Sequence, residues 1–196
     1  MTLETERLLL RPWREEDAQA LYRYASDAQV GPAAGWPPHT SVENSREIIR
    51  GVLSTPGTFA VVLKATGEAV GSVGVMHAGG GTAQMAEDEA EIGYWIGRPY
   101  WGQGLIPEAV RELERYCFEE LGCRRLWCGY YEGNEKSRRV QEKCGFMPHH
   151  TEENVPCRHL DERRTEHFTT LTREEWESLT TMRSDCAKAV VERSDT

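Results

Sequence analysis

The sequence predicts a single α/β domain, a central mixed sheet with helices on both faces. Three observations carry this. Short apolar runs of strand length alternate with stretches whose apolar residues recur at helical spacing. A two-glycine turn, Tyr100-Trp101-Gly102-Gln103-Gly104-Leu105-Ile106, joins a clear strand to a clear amphipathic helix. Finally, 196 residues without an internal repeat suit one core.

The elements follow in the order β, α, α, β, β, β, α, β, α, β, β. Leu8 to Pro12 reads as the first strand. Asp17 to about Ser26 is a helix with Ala18, Leu21, Tyr22 and Ala25 on one side. Gly31 to His39, with Pro32, Pro37 and Pro38, reads as a loop. Thr40 and Glu43 form a capping box for a second helix carrying Ile48, Ile49, Val52 and Leu53. Thr58 to Lys64 and Ala69 to His77 are strands joined by a hairpin signal at Ala65-Thr66-Gly67-Glu68. Gly79-Gly80-Gly81 opens a flexible loop before the strand that ends at Ile96. Leu105, Ala109, Leu113, Cys117 and Leu121 make the apolar stripe of the main helix. Pro107 is tolerated in its first turn, and Gly122 stops it. Arg125 to Tyr131 is the next strand. Asn134 caps a short helix that Gly145 ends, and on it Ser137, Val140 and Cys144 share the inward face. His149 to Arg164 reads as a loop, and the residues from 179 onward as a tail.

Composition narrows the function classes. A formal charge of −9 argues against a nucleic-acid footprint and mildly favours cationic substrates such as amines. The chain has no apolar run of membrane-spanning length, and charges within its first residues argue against a secretory signal, so a cytoplasmic location is expected. Its six cysteines form no C-x-x-C pair, and there is no His-x-x-x-His. They read as free thiols with no metal, and His149-His150 near Cys157 and His159 as a loop rather than a ligand set.

The glycine turn is the most informative stretch. Its glycines let backbone N–H groups approach a ligand, and the following helix adds unpaired amides and a positive dipole end, so the junction suits a pyrophosphate. Two familiar phosphate motifs fail. The third glycine of a dinucleotide fingerprint is replaced by Pro107, and no Lys-Ser or Lys-Thr completes a P-loop.

With the Asn134–Phe146 helix in place, the chain resembles the GNAT superfamily of acyl-CoA-dependent N-acetyltransferases, in its branch related to ribosomal-protein N-terminal acetyltransferases. The matching segments are Leu3 to Pro12 with Asp17-Ala18, Glu91 to Ile96, Trp101 to Gly104, Asn134 to Phe146, and His167 to Leu171 with Glu174-Glu175-Trp176. They cover roughly residues 3 to 178, leaving 179 to 196 as the tail. The resemblance implies a mostly antiparallel sheet of six to seven strands whose two central parallel strands splay apart. It places acetyl-CoA in that gap, its pantetheine arm against the Glu91–Ile96 strand and its phosphates on the amides of Gly102, Gln103, Gly104, Leu105 and Ile106. Trp95 or Ile96 supplies the oxyanion amide, Asn134 contacts the pantetheine arm, and Arg139 or Lys143 approaches the 3′-phosphate. A homodimer is the family-level expectation.

Acetyl transfer to an amine needs a neutral nucleophile, an oxyanion stabiliser and a proton for the leaving thiolate. Glu91 is the candidate base, ahead of Glu87 and Glu89. Many family members carry a Tyr where this chain has Gln141, and Ser137 is the replacement proton donor that the resemblance suggests. Trp36 and Tyr100, with Trp13, are candidates to line the acceptor pocket. The acceptor is a protein or peptide α-amine or a small amine. Two other readings stay open: a non-catalytic acyl-CoA-binding module, and a phosphate-ligand protein unrelated to CoA.

Overall fold

The computed structural model describes residues 1–157 and 159–194, and their side chains except at 184 and 186–194, so the Cys186 thiol lies outside the described residues. Among these residues one sheet holds eight strands: β1 (Leu3–Glu4), β2 (Leu8–Arg11), β3 (Thr58–Leu63), β4 (Ala69–Met76), β5 (Glu89–Ile96), β6 (Arg125–Tyr131), β7 (Met147–Pro156) and β8 (Arg163–Thr172). Their spatial order is β1-β2-β3-β4-β5-β6-β8-β7, antiparallel throughout except for the central pair β5–β6. The short β1 brings the sheet one strand beyond the expected six to seven.

Helices cover both faces, as the apolar stripes require. On one face α1 (Ala18–Ala25) and α2 (Val42–Ile48, widening into a π turn over Ile49–Leu53) bury Ala18, Leu21, Ala25 and Ile49 against Ala60, Val62 and Ala69. On the other, α3 (Leu105–Arg115, continued by a π turn over Tyr116–Glu120) and α4 (Glu135–Cys144) bury Leu105, Ala109, Leu113, Cys117 and Cys144 against Ile92, Leu126 and Leu171. In α1 the residue turned inward beside Leu21 is Tyr24 rather than Tyr22, and Leu121 at the end of the α3 stripe is 40% exposed.

Three further expectations change. The cap of α2 is Ser41, whose hydroxyl accepts from Asn44 N, while Asn44 Oδ1 accepts from Thr40 N; Glu43 instead pairs with Arg46. The His149–Arg164 segment is a loop only in part. Its first half, through Pro156, belongs to β7, an edge strand exposed along nearly its whole length, held by its ladder to β8 and broken by two register shifts, and its last two residues begin β8. Such a strand has no apolar alternation to reveal it, and its prolines and charges are those of a protected edge. The tail expected from residue 179 begins inside α5 (Arg173–Ser194). Trp176 packs on Phe118 at 5.1 Å, a Cβ on Gly145 would stand 2.3 Å from Leu179 Cδ1, and Arg183 Nη2 donates to Lys143 O and Cys144 O. That guanidinium completes the carbonyl end of α4.

Candidate active site

The site begins as a defect in the sheet. Strands β5 and β6 pair only at Glu89–Arg125, Ala90–Leu126 and Glu91–Trp127, then part. The Cys128 thiol donates to Ile92 O at 3.2 Å, so the backbone groups of Ile92 face β6, and by alternation those of Tyr94 and Ile96 face the same opening. The Ile96 carbonyl is covered by the Trp101 indole N–H at 3.0 Å. Beyond Ile92, the N–H and C=O of Tyr94 and the N–H of Ile96 thus line one wall of a wedge. Trp95 turns its own backbone the other way. Its carbonyl lies against β4, where a Cβ on Gly71 would stand 2.4 Å from it. Of the two amides considered for an oxyanion, only that of Ile96 points into the wedge.

At the mouth of the wedge lies the glycine turn. Gly102 and Gly104 both have positive φ, 76° and 75°, a conformation other residues adopt at a cost of about 1–2 kcal/mol. Among the described residues, none of the five amides of Gly102, Gln103, Gly104, Leu105 and Ile106 donates a hydrogen bond within the chain. The turn is braced from the first strands: Arg7 donates to Gln103 O at 3.0 Å and to Glu108 Oε2 at 2.6 Å, and Thr5 donates to Glu108 Oε1 at 2.6 Å. Burial opposes ionisation of Glu108, but the Thr5 hydroxyl, the Arg7 amide and its guanidinium hold its carboxyl below the ordinary range. The charged braces of the Leu3–Pro12 segment therefore act on the phosphate-type turn.

Helix α4 covers the wedge from the apolar side. Asn134 caps it, Oδ1 accepting from Ser137 N at 3.2 Å, and its Nδ2 donates to Ala33 O at 3.0 Å, so both ends of this amide have structural work. Gln141 is buried and forms part of the wall, donating to Gly129 O at 2.9 Å and accepting from Thr169 at 2.9 Å. Ser137 stands beside the Tyr94 phenol, 2.9 Å from its oxygen. Arg138 is paired to Glu135 and Glu142, whereas Lys136, Arg139 and Lys143 recur at i, i+3 and i+7 and, among the described residues, make no ion pair. Lys136 sits 4.4 Å over the Trp101 ring, beside the turn. Neither Lys136 nor Tyr94 stood out in the sequence. Both were signalled by periodicity, Lys136 in step with Arg139 and Lys143, Tyr94 in step with Ile92 and Ile96.

On the opposite face the sheet carries carboxylates. Glu91 is buried, and its carboxylate accepts from Thr82 N (2.7 Å), Thr82 Oγ1 (2.9 Å) and Ala83 N (2.8 Å). Three of its roughly four lone-pair sites are thereby used, leaving one on Oε1. Thr82 Oγ1 also lies 3.1 Å from Glu166 Oε1, so a second carboxylate shares this face. Glu89 is committed elsewhere, to Arg124 and to the Trp127 indole. Trp36 meets Trp95 edge-on at 5.5 Å, and Trp13 stacks on Trp95 at 6.4 Å, forming one aromatic wall. Tyr100 does not join it; its hydroxyl bonds Tyr24 at 3.1 Å.

Comparison with known proteins agrees with this architecture. Residues 7–147 match the family described as the acetyltransferase (GNAT) domain. The N-acetyltransferase p20 of Bacillus licheniformis is 37% identical over 151 residues, spanning 74% of this chain and 82% of p20. A GNAT-family acetyltransferase from Bacillus anthracis has the same fold, with a TM-score of 0.76 and 24% identity over 89% of this chain and 99% of its own. So does Mycobacterium smegmatis RimJ, whose structure is in complex with CoA-disulfide, with a TM-score of 0.71 and 23% identity over 89% and 88%. With a splayed central pair, a matching domain over most of its length and a relative of this identity, the chain belongs to the GNAT acetyltransferase family and is an acyltransferase.

Proposed function

We propose that this acyltransferase moves an acetyl group from acetyl-CoA directly to a primary amine, within a ternary complex of enzyme and both substrates. The observation that carries the reading is the wedge with five uncommitted amides at its mouth. Backbone N–H groups left open at a helix N-terminus are ready-made anion donors, and a diphosphate arriving there is the ligand that answers them. Lys136, Arg139 and Lys143 add positive charge on the adjoining helix of an otherwise acidic protein. The Tyr94 N–H and C=O suit the amides of a pantetheine arm, and the relative of known structure that holds CoA-disulfide supports the same donor.

The chemistry divides between the two faces of the sheet. The Ile96 N–H serves a developing oxyanion. Glu91, through its remaining lone pair on Oε1, accepts the proton that the amine gives up, directly or through water. Ser137 offers its hydroxyl hydrogen to the departing sulfur. Trp36 and Trp95 give the acceptor an apolar wall, and the buried Glu91 carboxylate favours a cationic amine before it is deprotonated. An α-amine, with a reference pKa near 8, needs little help at neutral pH, whereas a lysine-type amine near 10.4 needs the base. A peptide or protein α-amine therefore leads, with small amines second.

Thiol release from acetyl-CoA across a panel of peptide α-amines, lysine derivatives and polyamines tests this. Turnover is expected with at least one primary amine, depending on acetyl-CoA. Preferential binding of ATP or NAD over CoA, or tight acetyl-CoA binding with no turnover on any amine, overturns the reading.

A further inference from the structure

Position 141 carries an amide, which has no acidic proton to give, yet a phenol stands close by. Tyr94 projects from β5 toward α4, its hydroxyl 2.9 Å from Ser137 Oγ and 3.1 Å from Ser137 O. Gln141 Nε2 stands 3.4 Å from the same Oγ, oriented by its bond to Gly129 O, which can only accept. The phenol's single proton has two acceptors within reach, Ser137 O and Ser137 Oγ, and is shared between them, while Gln141 Nε2 donates to Oγ from the same side. With donors on that side of Oγ, the serine proton is free to point away from them, into the wedge.

We propose that Tyr94 is a positioning residue for acetyl transfer: its phenol donates to Ser137 Oγ and turns the serine proton toward the departing sulfur. This rests on the reading of Ser137 as the group that serves the leaving thiolate. As the tetrahedral intermediate collapses, the C–S bond breaks with its electron pair on sulfur. Ser137 passes its proton to that sulfur while taking one from water, and the proton that the amine gave up to Glu91 neutralises the hydroxide left behind, so the net transfer is from amine to sulfur and the serine is unchanged. Tyr94 keeps its own proton throughout, because burial pushes its phenol well above the ordinary tyrosine range. A hydrogen bond accepted by Oγ polarises the O–H it carries, making it the better donor.

The test is a double-mutant cycle on kcat and on KM for acetyl-CoA, using Tyr94→Phe, Ser137→Ala and the pair, with CoA affinity and thermal stability measured for each. Tyr94→Phe is expected to lower kcat by up to about tenfold, the worth of one ordinary hydrogen bond, with KM and CoA affinity within about twofold. Ser137→Ala lowers kcat at least as much, and adding Tyr94→Phe to it costs nothing further. Undiminished kcat in Tyr94→Phe overturns the proposal while leaving Ser137 its role. So does an equal fall in the Ser137→Ala background, which marks Tyr94 as a wall residue only. Loss of CoA affinity in parallel with kcat in Tyr94→Phe also assigns Tyr94 to holding the wedge rather than to the serine. Full kcat in Ser137→Ala removes the underlying reading itself.

Discussion

Glu91, the proposed base, already has a part in the fold. Its three hydrogen bonds hold Thr82 and Ala83 on the sheet, and its remaining lone pair is what a base needs. Glu91→Gln keeps the shape, its amide oxygen taking the Oε2 place under the Thr82 and Ala83 N–H groups and its NH2 facing the Thr82 hydroxyl, which can accept. Stability should fall by no more than about 1 kcal/mol. For a lysine-type acceptor kcat/KM should fall about a hundredfold near neutral pH, and for a peptide α-amine by much less. Equal, full rates for both acceptors across pH would leave Glu91 as an anchor alone. Glu114 is the opposite case, a wholly buried carboxyl on α3 with neither oxygen hydrogen-bonded among the described residues. Burial pushes it up to about 8, against the pull of Arg183 and Arg111. Its folded value lies above its unfolded one, so the folded chain binds the extra proton between about 4.5 and about 8. Its stabilising effect is complete below that window and lost as pH rises through it, at no more than about 1.4 kcal/mol per pH unit. Melting curves should show the midpoint falling from pH 5 to pH 8.5, and Glu114→Gln should flatten that fall and melt higher at pH 8.5. A variant with the parental slope would place the pH dependence elsewhere.

At the level of elements, what could be read from the chain depended on how local the cause is. The α3 stripe as far as Cys117, the caps Asn134 and Gly145 and the strand Arg125–Tyr131 all coincide with the structure, since each is set by neighbours a few residues away. The wedge was legible only through resemblance, because no property of β5 or β6 alone says where their pairing stops. β7 is one of the two strands expected after α4 but its residues read as a loop, because its side chains are exposed and its only cause is the ladder to β8. The Tyr94–Ser137 contact required knowing that one face of β5 meets one face of α4, which is tertiary information. The role of Arg7 was hidden for the same reason. It clamps Gln103 O and Glu108 from about a hundred positions away, so the first strands set the shape of the glycine turn. Arg7→Ala should therefore raise KM for acetyl-CoA by about three- to tenfold with kcat nearly unchanged, since it loosens a binding element without touching reacting groups. A proportional drop in kcat would mean that the turn also aligns the thioester.

For the whole molecule, the question is what keeps a sheet with an open wedge from closing or fraying. The wedge walls are tied from outside, β5 by its ladder to β4 from Glu91 to Ile96 and β6 by its ladder to β8 along its whole length. Helix α4 bridges the opening, and its carbonyl end is held by α5 through Arg183, with Arg111 donating to Lys143 O beside it. α5 is therefore part of the support of the site rather than an appendage. Removing the residues from 179 onward deletes the Leu179 contact at Gly145 and one of the two guanidinium caps. The expected loss is about 2–4 kcal/mol. For a chain of this size that is roughly 5–15 °C in Tm. Acetyl-CoA at a hundred times its dissociation constant should restore about 2.7 kcal/mol in either form, because the proposed donor contacts, Lys143 apart, lie on β5, the glycine turn and the first two turns of α4. Melting the full and shortened chains with and without acetyl-CoA separates the two contributions. The shortened chain should start lower and gain the same ligand increment. An unchanged starting Tm would show that α4 is held without α5, and a vanished increment would show that the far end of α4 reaches the donor site.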